Sequence, residues 1–168
     1  MKKTVYLSLG SNLGDRQQNL RAAIERLRQL GAVLSVSSIY ETEPVEMPAQ
    51  PWFLNCAIAV ETDKMPRQLM ANVLAIEQAM GRRRLQPKGP RTIDMDILLF
   101  GSSVVRTPKL TIPHPRMHQR RFVLEPLAEI APDLRHPVLK KTIRELRDAL
   151  PPGAPAVRKI NSESFSDS

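Results

Sequence analysis

Two hydrophobic periods divide the first hundred residues into short strands and longer helices. Four segments are apolar at every second position or in a short run, as strands are: residues 4–9, 33–40, 53–61 and the segment that ends at Phe100. After the first and third of these, apolar residues recur three or four positions apart, which predicts amphipathic helices. Asp15 and Pro66 are suited to begin these helices. Gly31 and Gly81 are suited to end them. The order strand–helix–strand–strand–helix–strand predicts an α+β fold with a ferredoxin-like βαββαβ core and an antiparallel sheet.

The remaining segments predict loops, a hairpin extension, two surface helices and a tail. In chain order they are a proline-containing loop at 41–51, a cationic loop before the fourth strand, a hairpin extension at 104–105, a rigid basic loop at 111–116, helices at Arg121–Ile130 and 142–150, and a flexible tail at 151–168. The tail is rich in proline, glycine and serine and has no core pattern. We therefore expect one domain over residues 1–150, with extra C-terminal helices and no internal repeat.

The composition is that of an ordinary soluble globular protein. A chain of 168 residues suits one domain with a proper core, and its 42% hydrophobic and 25% charged residues are typical values. The one cysteine, Cys56, excludes an internal disulfide and fits a reducing compartment. The apolar run after Lys3 is too short for a signal peptide, and no run is long enough to span a membrane. We expect a cytoplasmic protein with no membrane partner.

The chain is strongly basic, with a formal net charge of +8 and a pI near 10.1. This balance favours an anionic partner, and nucleic acid is the general candidate. However, the chain has no recognisable nucleic-acid motif and few aromatic residues on which bases could stack. We therefore expect no nucleic-acid partner. A basic RNA-binding module is the alternative, and it would show salt-dependent affinity.

Asp94 and Asp96 are candidates for chemistry because they interrupt an otherwise apolar strand. Strand residues two apart share a face, with α-carbons roughly 6.6 Å apart at about 3.3 Å per residue. Burying two carboxylates without partners is unfavourable, and a divalent cation removes that cost. Magnesium takes such oxygen ligands together with water and phosphate oxygens. The alternative is a surface strand whose aspartates pair with nearby arginines.

A cationic loop precedes the two aspartates. Its charges come from Arg82, Arg83, Arg84, Lys88 and Arg91. Guanidinium groups bind phosphate oxygens through paired hydrogen bonds, so acid and base together predict a metal-bound polyphosphate. The lack of a glycine-rich P-loop argues against an ordinary P-loop kinase. A nucleotidyl-transfer domain is the alternative enzyme, since polymerase palms also place paired aspartates on a ferredoxin-like sheet.

Five stretches together resemble one family of enzymes. In order, they are Gly10-Ser11-Asn12-Leu13-Gly14, Tyr40-Glu41-Thr42, Phe53-Leu54-Asn55, Gly89-Pro90-Arg91-Thr92-Ile93-Asp94-Met95-Asp96 and Thr111-Ile112-Pro113-His114. Over about residues 4–135 the chain resembles the 6-hydroxymethyl-7,8-dihydropterin pyrophosphokinases of folate biosynthesis. The resemblance implies transfer of the terminal diphosphate of ATP to the hydroxymethyl group of the pterin, with release of AMP. It also implies two Mg²⁺ ions and a monomer.

The resemblance further implies which residues form the site. Asp94 and Asp96 hold the metal ions, and Arg82 and Arg91 stabilise charge in the transition state. The implied ATP contacts are Glu77, Arg82, Arg84, Arg91, Ile97, Thr111, His114 and Arg120. The implied pterin contacts are Thr42, Val45, Phe53, Asn55 and Phe122. In this set the two aromatic rings stack on the pterin and the asparagine reads its edge. The chain departs from the family pattern at Pro87 and Lys88, where a basic residue followed by an aromatic one is usual.

Overall fold

The computed structural model describes residues 1–43, 51–81, 92–152 and 157–160, in which there are eight strands and four α-helices. The strands are β1 Lys3–Ser11, β2 Ala32–Val36, β3 Tyr40–Thr42, β4 Phe53–Thr62, β5 Asp94–Phe100, β6 Val105–Arg106, β7 Thr111–Ile112 and β8 Val157–Lys159. The helices are α1 Arg16–Leu27, α2 Pro66–Ala79, α3 Arg121–Ile130 and α4 Ile143–Asp148, with a short 3₁₀ helix at Met117–Gln119.

The main sheet is antiparallel and is centred on β1 and β4. Its strands lie in the order β5–β1–β4–β3–β8, and β2 pairs with β4 on the same side as β3. The pairing of β1 with β4 runs from Lys3 opposite Thr62 to Ser11 opposite Leu54. β6 and β7 form a separate two-stranded sheet. The predicted α+β fold with a ferredoxin-like antiparallel core is therefore confirmed.

The first two helices cover one face of the main sheet. Asp15 caps α1 by accepting a hydrogen bond from the backbone N–H of Gln18 at 3.1 Å. Leu20 of α1 and Leu69 of α2 are buried against sheet residues such as Leu7. The helical spacing seen in the sequence thus corresponds to the buried stripe of each helix.

Helix α3 covers the other face of the sheet, so its predicted placement as a surface helix is wrong. Val123, Leu124 and Leu127 are buried in a cluster with Ala57 of β4 and Leu98 of β5. Helix α4 adds its own buried residues to the same cluster. Both faces of the sheet are therefore packed against helices, α1 and α2 on one face and α3 and α4 on the other.

A polar contact ties α3 to the start of β3. The carboxylate of Glu129 accepts hydrogen bonds from the Tyr40 hydroxyl at 2.7 Å and from the backbone N–H and hydroxyl of Ser38 at 3.0 and 2.9 Å. Burial raises the pKa of Tyr40, and its hydrogen bond to Glu129 acts in the same direction. The hydrogen bonds from Tyr40 and Ser38 lower the pKa of Glu129, although burial opposes them.

Three further segments differ from the sequence prediction. The loop predicted at 111–116 begins with β7, which pairs with β6. The strand predicted at 33–40 is divided into β2 and β3, which both pair with β4, and β3 extends to Thr42 inside the predicted loop at 41–51. The predicted flexible tail contains β8, which pairs with β3 from Tyr40 opposite Lys159 to Thr42 opposite Val157. Backbone hydrogen bonds rather than an apolar pattern define so short an edge strand, so its sequence carries little signal.

His136 organises the turn that follows α3. Its side chain is buried, and Nδ1 accepts hydrogen bonds from the backbone N–H groups of Val138 at 3.2 Å and Leu139 at 3.0 Å. Burial, with a smaller effect from the charge of His118, lowers the pKa of His136. The turn therefore requires the neutral imidazole, because a proton on Nδ1 would remove its acceptor.

We expect the protein to lose stability as the pH falls below about 6.5, because the unfolded imidazole then takes a proton that the native one does not. His114, whose pKa is lowered to about 4, acts in the same direction. Thermal unfolding at about pH 7.5 and about pH 5.5 measures this dependence. The variant His136→Asn, which keeps an acceptor but does not titrate, should show a smaller change; an equal change in both proteins would contradict the assignment.

Among the described residues, no helix is long and apolar enough to cross a membrane, and the longest, α2, has 14 residues.

Candidate active site

The strand register aligns predicted metal and pterin residues across one face of the sheet. Asp94 of β5 lies opposite Gly10 of β1, and Gly10 lies opposite Asn55 of β4 on its other side. Directly paired residues of antiparallel strands share a face, so Asp94 and Asn55 point the same way. Two strand spacings separate their backbones by about 10 Å. This distance leaves room for the reacting groups of two substrates between them.

Asp96 lies in the next row of the same face. It is opposite Ser8 of β1, which is opposite Ala57 of β4, so small side chains neighbour it across the sheet. Asp94 and Asp96 are both half-buried. Two carboxylates in this arrangement fit the oxygen ligands that Mg²⁺ takes. Within the described parts of the chain, no group of three or more histidine, cysteine, aspartate or glutamate side chains could hold a metal. A cation here would need water or substrate oxygens as further ligands.

Two predicted ATP contacts, Glu77 of α2 and Ile97 of β5, have side chains on the side of the sheet that α1 and α2 cover. This side is opposite to the face that carries the two aspartates. Ile97 is buried in the core of that side. Glu77 is 4% exposed, and its Oε2 accepts a hydrogen bond from the backbone N–H of Met95 at 2.8 Å. Met95 lies between Asp94 and Asp96, so Glu77 holds the backbone that carries both carboxylates. The ATP contacts of Glu77 and Ile97 stay predictions.

We expect Glu77→Ala to lower the free energy of unfolding by about 2 kcal/mol, because the buried N–H of Met95 loses a charged acceptor. Turnover should fall as well, since the strand that carries the aspartates is loosened. Chemical denaturation measures the first effect. The matched variant Glu77→Gln keeps an acceptor and should retain most of the stability. Unchanged stability of Glu77→Ala, with loss of ATP affinity alone, would make Glu77 a direct ATP contact instead.

His114 lies beside β5 and is neutral near pH 7. Its backbone N–H donates to the carbonyl of Leu98 at 3.0 Å, and its Nδ1 accepts from the backbone N–H of Arg116 at 3.2 Å. Burial lowers the pKa of His114 to about 4, the charges of Arg120 and Arg116 act in the same direction, and Asp94 opposes them. With Nδ1 as acceptor, the proton is on Nε2. The residue is therefore suited to donate a hydrogen bond rather than to supply a charge.

The other described ATP candidates lie on the β7–α3 side. Thr111 is exposed on β7, which pairs with β6. Arg120 is the N-cap of α3, and its guanidinium carbon lies 5.5 Å from the centre of the Phe122 ring. This contact joins a predicted phosphate ligand to a predicted pterin-stacking ring, and it is close enough for a cation–π interaction.

The predicted pterin residues of β3 and β4 contact one another directly. Thr42 lies opposite Phe53 at the end of the β3–β4 ladder. The side-chain amide of Asn55 donates to the hydroxyl of Thr42 at 2.7 Å, and both residues are buried. Phe53 is half-buried, as is Phe122 at the start of α3. The structure thus brings Thr42, Phe53 and Asn55 together on the face that also carries the two aspartates.

Four predicted site residues lie outside the described residues. They are Val45, Arg82, Arg84 and Arg91. Their roles at the pterin and the phosphates stay predictions.

Gly10, the first residue of the first family-like stretch, was not predicted to contribute to the site. A Cβ on this residue would lie 2.9 Å from Oδ1 of Asn55 and 3.5 Å from Cδ1 of Phe53. A side chain at this position would therefore displace the Asn55 amide, whereas the distance to the Phe53 ring is an ordinary van der Waals contact. The available signal was a glycine at the end of an alternating strand, which often marks a close approach.

Comparison with known proteins gives one consistent family. The sequence model of 7,8-dihydro-6-hydroxymethylpterin-pyrophosphokinase (HPPK) matches residues 6–132. The 2-amino-4-hydroxy-6-hydroxymethyldihydropteridine pyrophosphokinase of Bacillus subtilis is 48% identical over 132 residues, which cover 77% of this chain and 79% of that protein. The chain is also 43% identical over 151 residues to the folic acid synthesis protein fol1 of Schizosaccharomyces pombe; this match covers 89% of the chain but 21% of that longer protein.

A solved structure with the same fold agrees with this result. The crystal structure of wild-type HPPK-DHPS from Plasmodium falciparum with pteroate superimposes with a TM-score of 0.69 at 18% identity, covering 88% of this chain and 42% of that one. At this identity the similarity supports the fold alone. The extent of the sequence match and the level of identity to the bacterial enzyme show that this chain belongs to the 7,8-dihydro-6-hydroxymethylpterin-pyrophosphokinase family.

Proposed function

We propose that the chain transfers the pyrophosphoryl group of ATP to 6-hydroxymethyl-7,8-dihydropterin, releasing AMP, as a step of tetrahydrofolate biosynthesis. The observation that carries this proposal is the register that places Asp94, Gly10 and Asn55 in one row of the sheet. It puts the acidic pair and the amide on the same face, two strands apart, which supports a metal–nucleotide complex at the first and a heteroaromatic edge at the second. Family membership supports the same chemistry.

In the proposed reaction, the hydroxymethyl oxygen of the pterin forms a bond to the β-phosphorus of ATP. The bond between the β-phosphorus and the oxygen bridging to the α-phosphate breaks, AMP leaves, and the hydroxyl proton is lost to solvent. Such transfers depend mainly on in-line positioning and on stabilisation of charge. A protein base is therefore not required, and we assign none.

We propose that Asp94 and Asp96 hold two Mg²⁺ ions. When bound, these ions would neutralise phosphate charge and lower the pKa of the hydroxymethyl group. The half-buried positions of both carboxylates and the hydrogen bond from Met95 to Glu77 support a preformed pair. Neutral His114 would donate from Nε2 to a phosphate oxygen. Arg82, Arg84, Arg91 and Arg120 would bind the remaining phosphate charge.

For the pterin, we propose a pocket between two aromatic rings. Phe53 and Phe122 would stack on its faces, as offset aromatic pairs do. Asn55 would read the edge of the ring with its amide, held in place by Thr42. Thr42 and Val45 would offer backbone groups. We also expect a cytoplasmic monomer without nucleic-acid or membrane partners.

The test is to incubate the protein with Mg²⁺, ATP and 6-hydroxymethyl-7,8-dihydropterin and to identify the nucleotide product. AMP and a pterin diphosphate in equal amounts are expected. ADP would indicate simple phosphoryl transfer and contradict the proposal. Absence of turnover together with tight, salt-dependent RNA binding would favour the basic RNA-binding module instead. Omission of the pterin is the control, because AMP formed without it would be hydrolysis.

A further inference from the structure

Behind the proposed pterin pocket, the opposite face of the same strands carries a group of charged residues. Neighbouring strand residues point to opposite faces, so Glu41 lies behind Thr42. Its partner in the β3–β4 ladder is Leu54, which is buried against α1 and α2. Trp52, which precedes Phe53, lines the same cleft of about 350 Å³ as Glu41. Glu41 and Trp52 thus immediately flank the proposed pterin residues on the other face.

Arg16, the first residue of α1, joins these two positions. Its Nη1 donates to Oε2 of Glu41 at 3.3 Å and to the backbone carbonyl of Trp52 at 2.6 Å. One guanidinium therefore bridges Glu41 of β3 and Trp52, the residue that precedes β4. The carboxylate is 16% exposed, so solvent screens this pair less than an ordinary surface pair.

Arg158 of β8 joins the same two positions from the C-terminal end of the chain. Its Nε and Nη2 donate to Oε1 of Glu41 at 3.0 and 2.6 Å, and its guanidinium lies 5.0 Å from the centre of the Trp52 ring. The hydrogen bond from Arg158 lowers the pKa of Glu41, with Arg16 acting in the same direction against the effect of burial. Arg158 also lies beyond residues 6–132, which the family model covers.

We infer that Arg16 and Arg158 are positioning residues for the pterin pocket, acting through Glu41 and Trp52. This inference rests on the proposed function. Thr42 and Phe53 form the terminal pair of the β3–β4 ladder, and terminal pairs separate more easily than internal ones. The guanidinium groups of Arg16 and Arg158 bridge Glu41 and Trp52 on the opposite face. These contacts keep β3 and β4 paired at this end. The hydroxyl of Thr42 then stays in place for Asn55, and the ring of Phe53 stays at the proposed stacking position.

The test is Arg158→Ala in the full chain. Arg158 is 69% exposed, so the protein should remain folded, and the expected effect is modest. We expect the KM and the dissociation constant for 6-hydroxymethyl-7,8-dihydropterin to rise about fivefold, with the KM for ATP unchanged. Equilibrium binding is measured with Mg²⁺ and a nonhydrolysable ATP analogue present. Arg158→Lys, which keeps a charge but not the planar group over Trp52, should give an intermediate value.

Arg28→Ala is the matched control. Arg28 is an exposed arginine directly after α1, and it forms an ion pair with Glu25 of α1 at 3.1 Å. It should leave both KM values unchanged. In the background of Glu41→Gln, Arg158→Ala should have a smaller effect than in the wild type, since the two residues act through one contact. Equal pterin affinity of wild type and Arg158→Ala, or equal losses for ATP and pterin, would overturn the inference alone. A wild-type protein that neither binds the pterin nor forms AMP would overturn the proposed function and the inference with it.

Discussion

Asp96→Asn is expected to lower the rate of AMP formation at least about a thousandfold while the protein stays folded. Asparagine has the same shape as aspartate but no charge, so its amide oxygen binds magnesium much more weakly than a carboxylate does. Stabilisation of phosphate charge by a metal contributes several kcal/mol, which corresponds to roughly this factor in rate. Initial rates of AMP release, with circular dichroism to verify the fold, measure the effect. Asp94→Asn should be nearly as severe.

The control for this variant is Asp133→Asn. Asp133 is an exposed carboxylate that forms an ion pair with Arg144 at 3.3 Å, away from the proposed site. Its replacement should leave the rate unchanged. Calorimetric titration with Mg²⁺ and ATP adds a readout that does not depend on turnover, and Asp96→Asn should weaken it. If Asp96→Asn kept wild-type turnover and wild-type binding of the metal nucleotide, the metal assignment would be wrong.

Gly10→Ala is expected to lower kcat/KM for the pterin about a hundredfold. The new Cβ would lie 2.9 Å from Oδ1 of Asn55, so the amide must move, and small displacements of a positioning group cost about this factor. Asn55 is 3% exposed and bonded to Thr42, which leaves it little space in which to move. The KM for ATP should change much less. Steady-state kinetics with each substrate varied in turn measure both values.

A double-mutant comparison separates this displacement from a general loss of structure. In the background of Asn55→Ala the contact no longer exists, so Gly10→Ala should then have a much smaller additional effect. Full additivity of the two changes would show that the alanine acts elsewhere. Activity of Gly10→Ala equal to that of the wild type would show that the close approach at Gly10 has no role in catalysis.

Most of the fold was predictable because its signals are local. The alternation in β1 and β4 and the helical spacing of Leu20 and Leu69 are properties of single segments, and the structure buries them as expected. The position of α3 was not predictable in the same way. The sheet face that it covers presents small residues such as Ala57, whose spacing does not distinguish a packed face from an exposed one.

The site was predictable where its residues are close in sequence. Asp94 and Asp96 share one strand, so the period of two alone places them on one face. Their alignment with Asn55 depends on the pairing of Gly10 with Asn55 and of Gly10 with Asp94, which join distant parts of the chain, and no local pattern encodes it. The contacts of Glu41 with Arg16 and Arg158 join residues 25 and 117 positions apart, which only the folded chain reveals.

The central position of β1 has a consequence for how the protein is made. β1 is synthesised before both of its partners, β4 and β5, which begin at Phe53 and Asp94. Until those residues have been synthesised, both edges of β1 lack their native partners. Folding of this sheet therefore depends on contacts between distant parts of the chain, which slows it and exposes apolar strands to aggregation during translation.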